Sequence, residues 1–285
     1  MAKRGSAVNG PHGFARLRTT IDLAPWRASA SKAAMRKGHR PSKPHSGRPR
    51  FWGRHAVVAA LANSDRRVHK LWATREAMAQ LGGEIGDLPS SLPVTYADVA
   101  DLGRLVPSDA PHQGLVIEVD PLEDMWLSEL LDQGRDDRRP LIVLDQVTDP
   151  HNVGAILRSA AAFDALGIVT QDRHAPPESG TIARAASGAL EIVPWARVVN
   201  LARALDEIAE AGFWRIGLAG ETESTLAEVM GEARIALVLG AEGEGIRHNT
   251  ASHCDELARL PISDRVESLN VSNAAAIALY AVATR

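Results

Sequence analysis

The chain has 285 residues, of which 45% are hydrophobic, so it can bury one sizeable core or two smaller ones. Its longest apolar stretches, 235–241 and 274–283, fall short of the ~20 residues that a membrane-spanning helix needs, so we expect a soluble protein. A single cysteine, Cys254, excludes an internal disulfide framework and any structural zinc site that needs two thiolates. We therefore expect a cytoplasmic protein without a secretory signal or a metal site.

Positive charge is concentrated at the N-terminus. Residues 1–50 contain 12 Lys or Arg and one acidic residue, Asp22, although the net charge of the chain is -3. This segment is rich in Gly, Pro, Ser and Arg and has no apolar period, which predicts a disordered basic tail that adds salt-dependent affinity for nucleic acid. A solubilising extension and a mitochondrial transit peptide are the alternatives. Pro41, Pro44 and Pro49 argue against the amphipathic helix of a transit peptide.

From Phe51 the pattern becomes that of a folded domain. Helical stretches alternate with short apolar segments, and we predict helices at 55–62 and near 76–81 and strands at 68–73, around Val94 and at 115–119. This alternation indicates a small α/β domain at 51–120. A polar, acidic segment at 121–139 follows it and is predicted to be a linker.

Residues 140–285 predict a second α/β domain, built on a parallel sheet. A continuous apolar run, which is typical of a strand buried on both faces, occurs at 141–144, and further candidate strands follow at 167–170, 214–219 and 235–239. Helices are predicted between or after these strands, at 153–163, 201–211 and 273–283. Since ligands bind beyond the carboxyl ends of parallel strands, we expect the functional site in the residues that follow each run.

Asn152 and Arg158 stand in the first of these segments, 145–159. They are six residues apart, so both are expected to reach the strand ends if a helix begins near His151. An Asn at a helix start is usually only a cap. Arg158 is the one basic group on an otherwise small and apolar stretch, and a guanidinium needs an anionic or carbonyl partner if it is buried.

A glycine-rich segment, 240–245, follows the predicted strand at 235–239. Its three glycines permit close backbone approach to a cofactor, or they simply reverse the chain. Glu242 lies between them and is either a hydrogen-bond and proton acceptor or a solvated loop carboxylate. The sequence contains no phosphate-binding Gly-x4-Gly-Lys-Ser/Thr loop, no Gly-x-Ser-x-Gly elbow and no His-Glu-x-x-His pair, which excludes several common chemistries.

Three segments together resemble the three motifs of the SpoU (TrmH-like) branch of the SPOUT RNA methyltransferases, in order and in spacing. The matching segments are Asp149-Pro-His-Asn152-Val-Gly154 with Arg158, Leu237-Val-Leu-Gly-Ala-Glu-Gly-Glu-Gly245, and Leu260-Pro-Ile with Ser268-Leu-Asn-Val-Ser272. Two N-terminal segments resemble the ribosomal-protein-like RNA-binding domain of the RlmB-type subgroup, which methylates a guanosine ribose in 23S rRNA. They are Gly53-Arg-His-Ala-Val and His112-Gln-Gly114.

The resemblance implies a catalytic domain with a deep trefoil knot, S-adenosylmethionine as the cofactor, and a homodimer. By position, the residues implied to line the cofactor pocket are Gly240, Leu260 and Leu269. Those implied to form the catalytic group are Asn152, Arg158, Glu242, Ser268 and Asn270.

The activity implied by the resemblance is 2'-O-methylation of a guanosine ribose in 23S rRNA, with residues 51–120 binding the RNA. Arg158 would stabilise the developing alkoxide electrostatically, because acting as a base would require a very large fall in the pKa of its guanidinium. Glu242, Ser268 and Asn270 would orient Arg158 and the nucleotide. The alternatives are a tRNA ribose methyltransferase of the same branch, a non-catalytic RNA-binding or ribosome-assembly factor, and a generic nucleotide-binding α/β enzyme.

Overall fold

The computed structural model describes residues 47–285, except 86 and 136. The tail predicted at 1–50 lies outside the described residues, apart from its last four. The described residues form a four-stranded mixed sheet and a six-stranded parallel sheet, each with its own helices. No helix in this part of the chain is long and apolar enough to cross a membrane.

The mixed sheet comes first in the chain. Its strands are β1 (Arg50–Trp52), β2 (Val68–Ala73), β3 (Val94–Tyr96) and β4 (Leu115–Val119). Its helices are α1 (Arg54–Ala62), α2 (Arg75–Ile85) and α3 (Val99–Gly103). The strand order is β1-β4-β2-β3. Phe51, Ile117 and Leu71 are cross-strand neighbours, and they are fully buried in one core together with Val57 of α1 and Leu81 of α2.

The parallel sheet forms the second half of the fold. Its strands are β5 (Leu141–Leu144), β6 (Gly167–Gln171), β7 (Trp195–Val198), β8 (Phe213–Leu218), β9 (Arg234–Leu239) and β10 (Glu256–Ala258). Its helices are α4 (Leu127–Gln133), α5 (Pro150–Ala162), α6 (Gly180–Ala186), α7 (Leu201–Glu210), α8 (Leu226–Val229), α9 (His248–Ala251) and α10 (Val271–Ala283). The strand order is β10-β8-β9-β5-β6-β7.

The strand order reverses between β5 and β9, which creates a crevice beyond the carboxyl ends of these two strands. The chain runs from β5 to β6 and β7 on one side, whereas β8 and β9 lie on the other side. Leu144 at the end of β5 pairs with Leu239 at the end of β9, so the segments that leave these two strands start side by side. Such a reversal of the strand order is where doubly wound sheets bind ligands. Two of the polar segments singled out in the sequence therefore begin at this crevice.

The segment predicted to be a polar linker contains a helix. Leu127, Leu130 and Leu131 of α4 lie at helical spacing and are buried in the core beside β5 and β6. The surrounding charged residues obscure this apolar stripe in the sequence. β1, β7 and β10 were not predicted either, because these short strands contain charged residues.

A buried ion-pair network joins the loop before β2 of the mixed sheet to the segments on either side of α6. The side chain of Arg66 is 0% exposed and donates hydrogen bonds to Glu178 at 2.7 Å and to Glu191 at 2.8 Å. It also donates to the backbone oxygen of Asp120 at 2.9 Å, and Asn63 donates to Glu191 at 2.8 Å. Burial raises the pKa of Glu178, and repulsion from the Glu191 carboxylate raises it further. The Arg66 network thus holds the two sheets in one arrangement.

Candidate active site

Helix α5 begins at the crevice, and its cap is Asp149 and not Asn152. Asp149 Oδ1 accepts a hydrogen bond from the backbone nitrogen of His151 at 3.0 Å, and Pro150 occupies the first helical position, where no amide hydrogen is needed. The side-chain amide of Asn152 is consequently available for contacts outside its own helix. It is buried, with 9% of its surface exposed.

Three predicted catalytic residues meet in one hydrogen-bonded cluster, which we call the amide–carboxylate cluster: Asn152, Glu242 and Asn270. Asn270 Nδ2 donates to Asn152 Oδ1 at 3.0 Å and to Glu242 Oε2 at 3.3 Å. Asn152 Nδ2 donates to the same Glu242 oxygen at 3.4 Å. Asn270 also caps α10, since its Oδ1 accepts from the backbone nitrogen of Ser272 at 2.9 Å. The cap fixes the direction in which Asn270 presents its amide to the other two residues.

The glycines around Glu242 shape the loop that carries it. Ala241 and Gly245 exchange backbone hydrogen bonds of 3.1 and 2.9 Å, and Gly243 and Gly245 have φ angles of 87° and 69°, which favour glycine. A Cβ on Gly240 would stand 2.0 Å from the carbonyl carbon of Gly245, so no side chain fits there. The glycine pattern therefore folds a tight hairpin whose tip brings the exposed Glu242 to the cluster.

A buried ion pair behind this hairpin was missed in the sequence. Asp145 is 0% exposed and accepts hydrogen bonds from the backbone nitrogen of Arg247 at 3.0 Å and from its Nε at 2.8 Å. The same guanidinium donates to Gln171 Oε1 at 2.9 Å. Arg247 thereby ties the end of the hairpin across the ends of β5 and β6. The available signal was an acid placed directly after a fully apolar strand, because a buried carboxylate needs a cationic partner.

Arg158 and Ser268 lie apart from the amide–carboxylate cluster. Arg158 follows Asn152 by six residues, which corresponds to about 9 Å along the helix axis and a different face of α5. It is exposed and forms no hydrogen bond or ion pair with any described residue. Ser268 is exposed as well, within the stretch 261–268. Within one chain, neither Glu242 nor Asn270 orients Arg158, in contrast to the expectation from the sequence.

Comparison with known proteins identifies the family. Residues 139–280 match the SpoU rRNA methylase family, and residues 51–125 match a family described as RNA 2'-O ribose methyltransferase substrate binding. The 23S rRNA (guanosine-2'-O-)-methyltransferase RlmB of Pseudomonas aeruginosa is 37% identical over 82% of this chain and 95% of its own length. The chain belongs to the SpoU rRNA methylase family. The family predicted from the three motifs is confirmed, and so is the prediction of an RNA methyltransferase.

Further relatives agree with this assignment. An uncharacterized tRNA/rRNA methyltransferase of Synechocystis is 38% identical over 81% of this chain, and the match spans 61% of that relative. The crystal structure of the SpoU methyltransferase AviRb from Streptomyces viridochromogenes, in complex with AdoMet, has the same fold. Its TM-score is 0.67, at 22% sequence identity over 84% of this chain and 90% of that one.

The cofactor-lining residues predicted for this SpoU family member lie in two neighbouring loops. Gly240 follows β9, and the half-buried Leu260 and Leu269 stand at the two ends of the loop between β10 and α10. Leu260 packs against the main core. These loops combine half-buried apolar side chains with backbone amides and carbonyls, which suits an adenosine-containing cofactor. Among the described residues, no group of three or more His, Cys, Asp or Glu side chains is placed to hold a metal ion.

Proposed function

We propose that this SpoU family member transfers a methyl group from S-adenosylmethionine to the ribose 2'-hydroxyl of a guanosine in 23S rRNA. The observation that carries the proposal is the amide–carboxylate cluster, because it draws one residue from each of the three family motifs to the switch point between β5 and β9. The RlmB relatives support the substrate, since their names specify this reaction and the match spans nearly their whole length.

Gly240, Leu260 and Leu269 are the residues that would hold the cofactor. Gly240 leaves room only for backbone, and the two leucines offer half-buried apolar surface beside the exposed stretch 261–268. When bound, S-adenosylmethionine supplies an electrophilic methyl group on a sulfonium. The Asp145–Arg247 ion pair stiffens the hairpin that forms one side of this pocket.

Arg158 is the residue that we assign to activation of the ribose. A free 2'-hydroxyl is a weak nucleophile, so the enzyme must stabilise the alkoxide that develops as the hydroxyl attacks the methyl group and loses its proton to solvent water. A guanidinium can do so by donating hydrogen bonds to the oxygen and to the adjacent phosphate. The lack of any partner for Arg158 among the described residues leaves its donors available for RNA.

We propose that the active site is completed in a homodimer. Arg158 and the amide–carboxylate cluster of the same chain are separated along α5, so a second subunit would bring its Arg158 to this cluster. The apolar surface beside α5 supports the proposal: Ile277 and Tyr280 of α10 are 46% and 59% exposed, and Tyr280 contacts Phe163 edge-to-face at 6.0 Å. Ser268 and Asn270 would orient the nucleotide between the two subunits.

We also propose a division of the chain into domains. Residues 51–120 form the RNA substrate-binding domain, 121–139 link it to the knotted methyltransferase domain at 140–285, and the basic tail at 1–50 adds affinity for RNA. The proposal of a trefoil knot draws support from α10, which packs against α5 and whose cap, Asn270, contacts residues of both earlier motifs. A cytoplasmic location fits an rRNA substrate.

Methyl transfer from labelled S-adenosylmethionine to 23S rRNA and to tRNA tests the proposal, with both RNAs taken from a strain that lacks the gene. We expect label on one guanosine ribose of 23S rRNA and none on tRNA. Arg158→Ala should lower transfer by about 10²–10³-fold, whereas Arg203→Ala should leave it unchanged, because Arg203 is an exposed residue of α7 that pairs with Glu207. Label on tRNA alone would favour the tRNA enzyme, and absence of both transfer and cofactor binding would favour a non-catalytic scaffold.

A further inference from the structure

Gly53, Gln113 and Arg184 lie together where the mixed sheet meets α6. We call this group of residues the junction site. Gly53 forms its floor: a Cβ on this residue would stand 3.0 Å from Arg184 Cδ, 3.1 Å from Arg184 Nε and 3.3 Å from Gln113 Oε1. The φ angle of Gly53 is 84°, so its backbone also favours glycine. Two polar side chains from different parts of the fold therefore border one patch of bare backbone.

Both N-terminal motifs singled out in the sequence contribute a residue to the junction site. Gly53 opens the segment Gly53-Arg-His-Ala-Val, and Gln113 is the middle residue of His112-Gln-Gly114. They are tied together, because the backbone nitrogen of Arg54 donates to Gln113 Oε1 at 3.0 Å. Gln113 Nε2 forms no hydrogen bond with a described residue, so it presents two N–H donors to solvent.

Arg184 reaches the junction site from α6 without a counter-charge. Its Nε is buried and has no hydrogen-bond partner, and no carboxylate pairs with its guanidinium in the part of the chain that the structure describes. The neighbouring arginines differ: Arg54 pairs with Glu84 at 2.6 Å and Arg66 with two glutamates. A guanidinium that is partly removed from water without an anion carries a desolvation cost. Such a cost is offset if a ligand supplies the anion.

We propose that the junction site binds a backbone phosphate of the RNA substrate. The Arg184 guanidinium and the Gln113 amide are both donors, and phosphate oxygens accept from such groups without reading the base sequence. The inference rests on the proposed function. Gln113 belongs to the substrate-binding domain and Arg184 to the methyltransferase domain, so a single phosphate is held from both. The contact sets the position of the RNA relative to the active site.

The test compares Arg184→Gln with Arg203→Gln in the full-length protein. Binding of a 23S rRNA fragment is measured at several salt concentrations, together with kcat, the KM for RNA and the Kd for S-adenosylmethionine. We expect Arg184→Gln to weaken RNA binding several-fold and to reduce the slope of log affinity against log salt by about 1, as for loss of one phosphate contact. The KM for RNA should rise, while kcat at saturating RNA and cofactor binding stay unchanged. Arg203→Gln should alter none of these.

Two further variants separate RNA binding from packing. Arg184→Lys keeps the charge and should restore the salt slope, and Gln113→Ala should raise the KM for RNA without changing the slope. A lower midpoint of thermal unfolding for Arg184→Gln, with unchanged salt slope and KM, would show that Arg184 only packs between the domains and would overturn the inference. If the wild-type protein methylates RNA, that result refutes phosphate binding at the junction site and leaves the proposed function standing. A wild-type protein that neither binds nor methylates RNA would refute the proposed function and the junction site together.

Discussion

Arg66 and Arg158 show two opposite uses of an arginine in this protein. Arg66 is 0% exposed, and its guanidinium donates hydrogen bonds to Glu178, Glu191 and the backbone oxygen of Asp120. Arg158 is exposed and forms no hydrogen bond or ion pair with any residue that the structure describes. A fully satisfied cation holds parts of the fold together, whereas a cation kept free of carboxylates retains its donors for a substrate.

Replacing Arg66 should have the largest effect on stability. In Arg66→Ala, two buried carboxylates lose their cation, so we expect the free energy of unfolding to fall by about 3–5 kcal/mol. Urea denaturation monitored by circular dichroism measures this loss. Arg203→Ala is the control and should change stability by less than about 0.5 kcal/mol. A loss below about 1 kcal/mol for Arg66→Ala would mean that the network does not join the two halves of the fold.

Replacing Arg158 should impair catalysis and leave stability nearly unchanged. Arg158→Ala is expected to lower kcat by about 10²–10³-fold, the usual effect of removing a donor that stabilises developing negative charge. Its free energy of unfolding should stay within about 0.5 kcal/mol of the wild type, because the side chain is exposed. Arg158→Lys should remain impaired, since an ammonium lacks the fork of donors. Near wild-type turnover in Arg158→Ala would remove this residue from the mechanism.

Mixed dimers test which subunit supplies Arg158 to each active site. If each site combines Arg158 of one subunit with Glu242 of the other, mixing the inactive Arg158→Ala and Glu242→Ala proteins creates one intact site in each mixed dimer. Random mixing should then restore roughly a quarter of wild-type activity. Single-turnover methylation after co-refolding measures the recovery, and each variant refolded alone is the control. No recovery, with exchange of subunits demonstrated, would place both residues in the same chain's site.

Disrupting the Asp145–Arg247 pair should lower stability, as replacing Arg66 does, and should also alter the kinetics, as replacing Arg158 does. Asp145→Asn weakens a buried charged contact, so we expect a loss of about 1.5–3 kcal/mol in stability. We also expect a rise in the KM for S-adenosylmethionine, because the hairpin at 240–245 is released from β5. Asp255→Asn is a matched control, since Asp255 likewise accepts from the backbone nitrogen and the guanidinium of one arginine, Arg215. It should lose stability without a change in KM, and an equal KM change in both variants would contradict a positioning role for Asp145.

The smallest expected effect concerns stability in acid. Hydrogen bonds from Arg215 hold the pKa of Asp255 below its ordinary value. The stabilisation by Asp255 is therefore complete above its unfolded pKa of about 3.9 and is lost as the pH falls through the lower, folded value. Arg215→Gln should be less stable than the wild type at pH 7, and the gap should narrow below about pH 4. Urea titrations across this range measure the gap, and a constant difference would exclude the linkage.

The strands of the fold were largely predictable, and the exceptions have a clear cause. Runs of apolar residues at 68–73, 115–119 and 141–144 coincide with β2, β4 and β5. β1, β7 and β10 were not predicted because they are short and contain Arg50, Arg197 and Glu256. Backbone pairing with a longer neighbour makes them strands, and this cannot be deduced from their own composition.

Motif order and spacing alone determined the family, and the same motifs contain all eight predicted site residues. Only the tertiary structure decided which of these residues touch. Asn152 lies 118 residues before Asn270. Their contact depends on how the loops that follow β5 and β10 meet beyond the carboxyl ends of the strands. The burial of Arg66 and Asp145 and the exposure of Arg158 were likewise set by packing. Local periodicity reports which face of an element is apolar, whereas the partner of a charged side chain depends on which distant segments fold against it.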